Sequence, residues 1–155
     1  MILGERLLRR LFPGLEEEQY QPAGIDLRLR RAFRLHGEAG LLPGDEKRLP
    51  EYREVRPEDG VYRLEPGEPY VLELAPRLEI PEDTVALFFP RSTLIRSGVA
   101  VHTAVGDPGF RGRIRVLAVN HHREPYRLAR GERVVQAVFV RAEGAGTYSG
   151  DYGEG

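Results

Sequence analysis

The segment "VGDPGFRGRIRVLAVN", residues 105–120, places a single carboxylate, that of Asp107, at a Pro-Gly turn before an apolar stretch. A carboxylate at the entrance of a strand can accept a proton from water and act as a general base. Aspartate before Pro-Gly is also common for a structural reason, because its side chain bonds the turn backbone two residues on. The sequence of this turn leaves both interpretations open.

A second segment, "PRSTLIRSG" at residues 90–98, has the composition of a short helix that could hold an anion. Ser92 or Thr93 can cap its start, and Gly98 can end it in the left-handed conformation. Free backbone N–H groups at a helix start, together with the Arg91 guanidinium, favour a phosphate group. A capped turn beside a surface arginine would have the same sequence.

Two polar residues interrupt apolar strand patterns, Gln136 in "RVVQAVFV" and Asp26 in "IDLRLRRAFRL". A polar side chain inside a sheet needs hydrogen-bond partners, unless it faces solvent. Asp26 lies on the polar side of its strand, where a neighbouring arginine is an alternative partner to a ligand.

Several classes of chemistry are excluded or disfavoured. The chain has no cysteine, which excludes disulfides, thiolate metal sites and the zinc-dependent deaminases. His102, His121 and His122 lack the spacing of metal ligands on a helix, so we expect surface histidines. The net charge of −1 disfavours a nucleic-acid partner, while local arginines still suit small anions.

The elements that must position these residues are mostly strands. Residues 3–12 predict a helix, ended by Pro13-Gly14. Its predicted apolar stripe consists of Leu3, Leu7, Leu8 and Leu11. Alternation then predicts a half-buried strand over residues 25–35. Its predicted apolar face consists of Ile25, Leu27, Leu29, Phe33 and Leu35. Residues 36–60 are rich in glycine, proline and charge, and predict a long surface excursion.

Four further apolar runs, "YVLELA", "TVALFF", "RIRVLAV" and "RVVQAVFV", are separated by turn signals. Repeated short strands with glycine and proline turns predict an all-β sandwich or barrel. The glycine-rich end of the chain has no core pattern, and by itself it should be mobile.

Five segments occur in the order of the motifs of one superfamily: "QPAGIDLRL", "PRSTLIRSG", "GDPGFRG", "RGERVVQAVF" and the terminal "AEGAGTYSGDYGEG". Together they resemble the dUTPase/dCTP deaminase superfamily over residues 1–155, apart from 36–60. The resemblance implies a single domain, a distorted β-barrel or jelly roll of the dUTPase-like β-clip type with a short N-terminal helix. It also implies a homotrimer with active sites between subunits, and a mobile C-terminal lid at residues 144–155.

The resemblance also implies roles for the matching residues. Asp107 would be the catalytic residue and would hold the attacking water and the deoxyribose 3′-hydroxyl. Asp26 would help to place the cofactor Mg²⁺ through water. The residues implied to bind the substrate, a deoxynucleoside triphosphate, are Arg91, Ser92, Thr93, Arg96, Phe110, Gln136, Tyr148 and Tyr152.

One position separates two activities of this superfamily. The deaminases that this chain resembles have a glutamate ten residues after the aspartate, and that position is Leu117 here. Leucine cannot shuttle a proton, and general acid–base catalysis is worth about 10²–10⁴-fold. We therefore expect hydrolysis of dUTP to dUMP and pyrophosphate. The alternatives are a dCTP deaminase, single-function or dUMP-forming, and a nucleotide-binding module without turnover.

The length of one hairpin, the lengths of the apolar runs and the composition give the remaining expectations. "VHTAVGD" is one or two residues shorter than the pyrimidine-binding hairpin of the relatives, so the sequence leaves the choice between uracil and cytosine open. No apolar run reaches the roughly 18 residues of a membrane span, so we expect a cytoplasmic protein with no membrane partner. Lys47 is the only lysine and Asn120 the only asparagine, which fits a thermophile, although a GC-rich genome would produce the same arginine bias.

Overall fold

The computed structural model describes residues 1–153, and these are mostly β-structure. The helical elements are α1 (Glu5–Leu11), a 3₁₀ turn (Glu17–Gln19) and α2 (Ser92–Arg96). The strands are β1 (Tyr20–Gln21), β2 (Gly24–His36), β3 (Gly40–Leu42), β4 (Glu46–Arg48), β5 (Glu51–Glu54), β6 (Val61–Leu64), β7 (Pro69–Ala75), β8 (Leu78–Glu79), β9 (Thr84–Pro90), β10 (Val99–His102), β11 (Arg111–Gly112), β12 (Arg115–Asn120), β13 (Tyr126–Ala129) and β14 (Arg133–Arg141).

The principal sheet is antiparallel, with the order β10-β12-β7-β2-β14-β9, and β1 and β5 also pair with β2. Three two-stranded ladders complete the structure: β8 with β11, β6 with β13, and β3 with β4. The sheet curls around one apolar core, in which Leu72 and Phe139 are almost fully buried. The predicted all-β, barrel-like fold is therefore confirmed. Within the described residues, neither α-helix has the length and apolarity needed to cross a bilayer.

Strand β2 departs from the predicted alternation at its centre. The register between β2 and β7 shifts between Leu29 and Arg31, which is a β-bulge, and a bulge exchanges the two faces of a strand. Ala32 therefore joins the core with Leu29. The prediction that Phe33 shares the face of Leu29 is wrong: the Phe33 ring lies on the opposite face, 6.1 Å from that of Tyr52.

That opposite face of the sheet carries a buried carboxylate that sequence analysis missed. Glu73 on β7 is 2% exposed. It accepts hydrogen bonds from Arg30 at 2.5 Å, Arg31 at 3.0 Å and Arg115 at 2.9 Å. Burial raises the pKa of Glu73, but the bonds from Arg31, Arg115 and Arg30 outweigh it and hold the pKa at about 2. The bulge in β2 makes this possible, since it places Arg30 and Arg31 around one acceptor.

Two predictions about the N-terminal half need correction. Helix α1 buries Leu8, but Leu7 and Leu11 are 39% and 42% exposed, so the predicted apolar stripe is wrong for those two leucines. Leu3 is buried before the helix begins, because its N–H bonds the carbonyl of Phe139. Residues 36–60 lie at the surface as expected, but they are not irregular, because strands β3, β4 and β5 form within them.

Candidate active site

Helix α2 begins directly where β9 ends, and Arg91 lies at the junction. Arg91 occupies the N-cap position in an extended conformation, and no side chain caps the helix. The prediction that Ser92 or Thr93 caps the helix is therefore wrong, and both residues are exposed. Gly98 ends the helical segment with φ +82°, as predicted. The two hydroxyls are thus presented beside Arg91.

Asp26 holds the Arg91 guanidinium together with a second arginine. Its carboxylate is 1% exposed. It lies 3.1 Å from Nη1 of Arg133, 3.4 Å from Nε of Arg91 and 3.0 Å from Nε2 of Gln21. Burial raises the pKa of Asp26, and Arg91 and Arg133 oppose that effect. Asp26 therefore orients two cations whose side chains stay 34% and 23% exposed.

Gln136 lies on β14 between these groups. Its Cα pairs with Asp26 on β2 and with Phe89 on β9, and within residues 1–153 its amide makes no hydrogen bond. A Cβ on Gly24 would come within 2.6 Å of Nε2 of Gln136 and 2.7 Å of the Ala137 carbonyl. Glycine is required there by this close approach. The Gln136 amide is thus half-buried and available to a ligand.

Sequence analysis missed Arg133, Gln21 and Arg127. Arg133 stands three residues before Gln136 in "RGERVVQAVF", so this segment contained the signal. Arg127, on the adjacent β13, lines a cleft of about 330 Å³ with Arg91, Thr93 and Arg133. We call the cluster of Asp26, Arg91, Arg133 and Gln136, with this cleft, the arginine site.

Asp107 lies at a turn whose geometry does not depend on its side chain. The turn is closed by the N–H of Phe110 on the carbonyl of Asp107, at 3.1 Å. Pro108 and Gly109, the latter with φ +80°, occupy the central positions of a type II turn. The Asp107 carboxylate is exposed, and it makes no hydrogen bond or ion pair with any part of residues 1–153. The alternative role, bonding the turn backbone, is not observed.

The hairpin that carries Asp107 is fixed along β9. Gly106 and Ala86 exchange two backbone hydrogen bonds, at 2.8 and 2.9 Å. A Cβ on Gly106 would come within 2.7 Å of Ile80 Cδ1 and 2.9 Å of Ala86 Cβ, so only glycine allows this approach. The hydroxyl of Thr103 donates to the Phe88 carbonyl at 2.9 Å. Asp107 therefore projects from a rigid support.

The C-terminal segment packs against the same hairpin. The rings of Tyr148 and Phe110 meet edge to face, with centroids 5.1 Å apart, and the Tyr148 N–H donates to the Pro108 carbonyl at 2.7 Å. Tyr152 donates its backbone N–H to the Tyr148 hydroxyl at 2.8 Å. These residues border a cleft of about 610 Å³, here called the hairpin cleft. The predicted lid, 144–155, includes residues 154 and 155, which lie outside the described residues.

The predicted site residues form two groups within one chain. Gly106 pairs with Ala86, and Arg91 lies five residues further along the chain. At about 3.3 Å per extended residue, the two positions are roughly 16 Å apart. Arg96 lies exposed at the end of α2 and lines neither cleft. The structure therefore brings Asp107, Phe110, Tyr148 and Tyr152 together, and separately Asp26, Arg91, Ser92, Thr93 and Gln136.

Comparison with known proteins identifies the family of this chain. The sequence model described as dCTP deaminase-like matches residues 5–142. The chain belongs to the dCTP deaminase-like family. It is 75% identical over 153 residues to a probable deoxyuridine 5′-triphosphate nucleotidohydrolase of Methanopyrus kandleri, covering 99% of each chain. It is 51% identical over 154 residues to a protein of the same name from Methanothermobacter thermautotrophicus, covering 99% of this chain and all of that one.

A solved structure with the same fold is that of the 2′-deoxycytidine 5′-triphosphate deaminase of Agrobacterium tumefaciens. Its TM-score is 0.71 at 24% identity, over 89% of this chain and 48% of that chain. The family match ends at residue 142, so the segment containing Tyr148 and Tyr152 lies outside it. The family match thus covers the segments that carry Asp26, Arg91, Asp107 and Gln136, while the C-terminal segment is described by the structure alone.

Leu117 lies on β12 between Val71 of β7 and His102 of β10, and it is half-buried. Its two cross-strand neighbours supply no carboxylate. A carboxylate shuttle at this position of the dCTP deaminase-like fold is therefore absent from this chain.

The residues of the arginine site fit Mg²⁺ only as an ion that is bound together with a triphosphate. Within residues 1–153, no group of three or more histidine, aspartate or glutamate side chains could hold a metal. The site holds two carboxylates, Asp26 and Glu132, the latter in the lining of the cleft, and two arginines already surround Asp26. Mg²⁺ commonly keeps several waters and is held by substrate phosphates. The site fits an ion of that kind, which arrives with a triphosphate.

Proposed function

We propose that this protein is an enzyme that hydrolyses dUTP to dUMP and pyrophosphate. The observation that carries the proposal is the pairing of an unengaged carboxylate, Asp107, with an apolar Leu117 at the deaminase position. The names of the two relatives, both nucleotidohydrolases of deoxyuridine triphosphate, support the same substrate.

In this mechanism the Asp107 carboxylate accepts a proton from the attacking water and also holds the 3′-hydroxyl. The water oxygen bonds to the α-phosphorus, and the bond from that phosphorus to the bridging oxygen breaks, so that pyrophosphate leaves. Arg91, Gln136 and the Ser92 hydroxyl bind the phosphates, with Thr93 beside them. Cationic and N–H donors placed where negative charge develops stabilise the transition state. Bound Mg²⁺ would neutralise phosphate charge, with Asp26 placing it through water.

Phe110 packs on the deoxyribose and leaves no room for a 2′-hydroxyl. Arg96 is assigned to substrate binding because it matches an arginine that helps to orient the catalytic group in the deaminases. Tyr148 and Tyr152 belong to the lid, residues 144–155, which orders over the nucleotide. A closed lid keeps bulk water out and holds the phosphates in place.

A homotrimer completes the site in this proposal. Gly106, which precedes Asp107, and Arg91 are roughly 16 Å apart along one chain. This separation supports a site in which Asp107 acts on phosphates held by the Arg91 of another copy. In the homotrimer that the family resemblance implies, the hairpin cleft of one copy and the arginine site of the next together form each active site. A cytoplasmic location stays a prediction.

The test is product analysis with purified protein, Mg²⁺ and either dUTP or dCTP. Pyrophosphate and dUMP from dUTP, without ammonia from dCTP, support the proposal, and chelation of the metal with EDTA should abolish the reaction. Ammonia released from dCTP would establish the deaminase instead. Binding of dUTP without product would establish a nucleotide-binding module.

Leu117→Glu is expected to give at most weak deamination of dCTP. The variant restores the residue type at the deaminase position, but Val71 and His102 surround it without the hydrogen-bonding support that a shuttle needs. Ammonia release, compared with that of Leu117→Met, measures the effect. If the unmodified protein already deaminates dCTP faster than it hydrolyses dUTP, the interpretation of Leu117 is wrong.

Deletion of residues 146–155 is expected to leave the fold intact and to lower dUTP turnover by roughly 10²-fold. In its described part, residues 146–153, the segment carries no strand. It contacts the rest of the chain through Tyr148, on the hairpin that carries Asp107, and through Asp151 and Tyr152, on Lys47. Steady-state kinetics and the midpoint of thermal unfolding measure the two effects. Normal kinetics after the deletion would remove the lid from the mechanism.

A further inference from the structure

The surface hairpin β3–β4 reaches the C-terminal segment. Nζ of Lys47 on β4 lies 2.5 Å from a carboxylate oxygen of Asp151 and 5.2 Å from the centroid of the Tyr152 ring. Both distances are those of direct attraction, an ion pair and a cation–π contact. Residues 36–60, which had no role in the mechanism above, thus touch the lid through the chain's only lysine.

Lys47 is held in place without help from the lid. The β3–β4 hairpin is closed by a turn in which Gly44 and Asp45 have left-handed backbone conformations. Strand β5 begins four residues after Lys47. Strand β5 pairs with β2, and Tyr52 on it packs against Phe33. The ammonium group therefore projects from a segment that is tied to the principal sheet.

The lid connects Lys47 with the hairpin cleft. Tyr152 bonds the Tyr148 hydroxyl, and Tyr148 packs on Phe110. The hairpin cleft is bordered by Phe110 of the hairpin that carries Asp107, by Tyr148 and Tyr152 of the lid, and by Leu49 and Tyr52 of residues 36–60. A continuous series of contacts thus runs from Lys47 through the lid to Phe110.

We propose that Lys47 is a positioning residue that holds the lid closed over the hairpin cleft of its own chain. Its effect on turnover rests on the proposed function, whereas lid closure itself does not. The hydrogen bond from Lys47 lowers the pKa of Asp151, and the same bond raises the pKa of Lys47, so both groups are charged at neutral pH. The pair is largely exposed, with side-chain accessibilities of 44% and 74%. Exposed pairs are weak, which suits a lid that must open to release pyrophosphate.

Lid closure can be measured by chymotrypsin cleavage after Tyr148 and Tyr152, followed by mass spectrometry. We expect Lys47→Met to increase the cleavage rate about two- to tenfold, because the variant loses one exposed ion pair and one cation–π contact. Arg48→Met is the matched control, since Arg48 is adjacent and pairs with Glu46 instead; its cleavage rate should equal that of the parent. The exchange Lys47→Asp with Asp151→Lys should restore protection.

Kinetics connect closure to turnover. Lys47→Met should lower kcat/KM for dUTP about two- to tenfold at low salt, and the difference should shrink in 1 M NaCl because salt screens the pair. In protein lacking residues 146–155, the same substitution should have no effect, since the two changes act through one contact. Parental cleavage rates in Lys47→Met, or no recovery in the exchange variant, would overturn the proposal. Absence of dUTP turnover in the parent would instead refute the proposed function. The cleavage rates would still test whether Lys47 holds the lid closed.

Discussion

Asp107→Asn is expected to lower dUTP turnover by roughly 10²–10⁴-fold, the usual contribution of a general base. Asparagine has nearly the same shape but cannot accept a proton at neutral pH. The fold should be unchanged, because the turn is closed by the backbone bond from Phe110 and not by the carboxylate. Binding of dUTP with Mg²⁺ should persist, since Arg91 and Gln136 are retained. Turnover by pyrophosphate release and affinity by calorimetry measure the two effects.

Asp59→Asn provides a matched control for this variant. Asp59 is another exposed aspartate in a turn, with φ +48°, a conformation that asparagine also tolerates. It lies outside both site groups, so its turnover should equal that of the parent. Near-parental turnover of Asp107→Asn would exclude Asp107 as the base and leave it a turn residue only.

Glu73→Gln is expected to lower the free energy of unfolding by about 2–3 kcal/mol. Removing one partner of a buried ion pair typically costs about 3–5 kcal/mol. The three arginines around Glu73 keep side-chain accessibilities of 37–43%, so water compensates part of the loss. Denaturant unfolding measures the change, and a fixed protein concentration keeps the comparison valid for the proposed trimer as well as for a monomer.

The stabilisation by Glu73 is expected to depend on pH in a defined direction. The pKa of Glu73 is about 2 in the folded protein, against an ordinary value of 4.5. A depressed folded-state pKa contributes stability that is complete above about pH 4.5 and is lost as the pH falls towards 2. The difference between parent and Glu73→Gln should therefore be constant at neutral pH and shrink in acid.

Glu54→Gln is the control, because Glu54 is 45% exposed and contacts only one of these arginines, Arg31. Its effect should stay within about 0.5 kcal/mol. Equal losses in the two variants would show that the burial of Glu73 has no special weight.

Local sequence patterns predicted much of the fold. Alternating apolar residues indicated β7, β9, β12 and β14, and glycine and proline marked the turns between them, because both signals act within a few residues. The sequence did not reveal the bulge in β2. A bulge is set by pairing with β7, and the arginines on either side of it are compatible with either face.

The candidate site shows the same division. Local patterns made Asp107, Arg91, Ser92 and Gln136 candidates, and the order of the five motifs, through the resemblance to the superfamily, favoured a functional role for each. Arg133 was overlooked, since an arginine at the start of a strand is ordinary until a buried carboxylate is found beside it. Its partner Asp26 lies 107 residues away in the chain.

The sequence by itself determined the all-β class, the order of the motifs and the apolar character of position 117. These properties depend on residue type and short-range spacing. The tertiary structure alone decided which side chains meet: Asp26 with two arginines, Glu73 with three, and Lys47 with Asp151, 104 residues apart. Such contacts depend on strand register and on burial. Both are fixed when distant segments pack together, so no local pattern contains them.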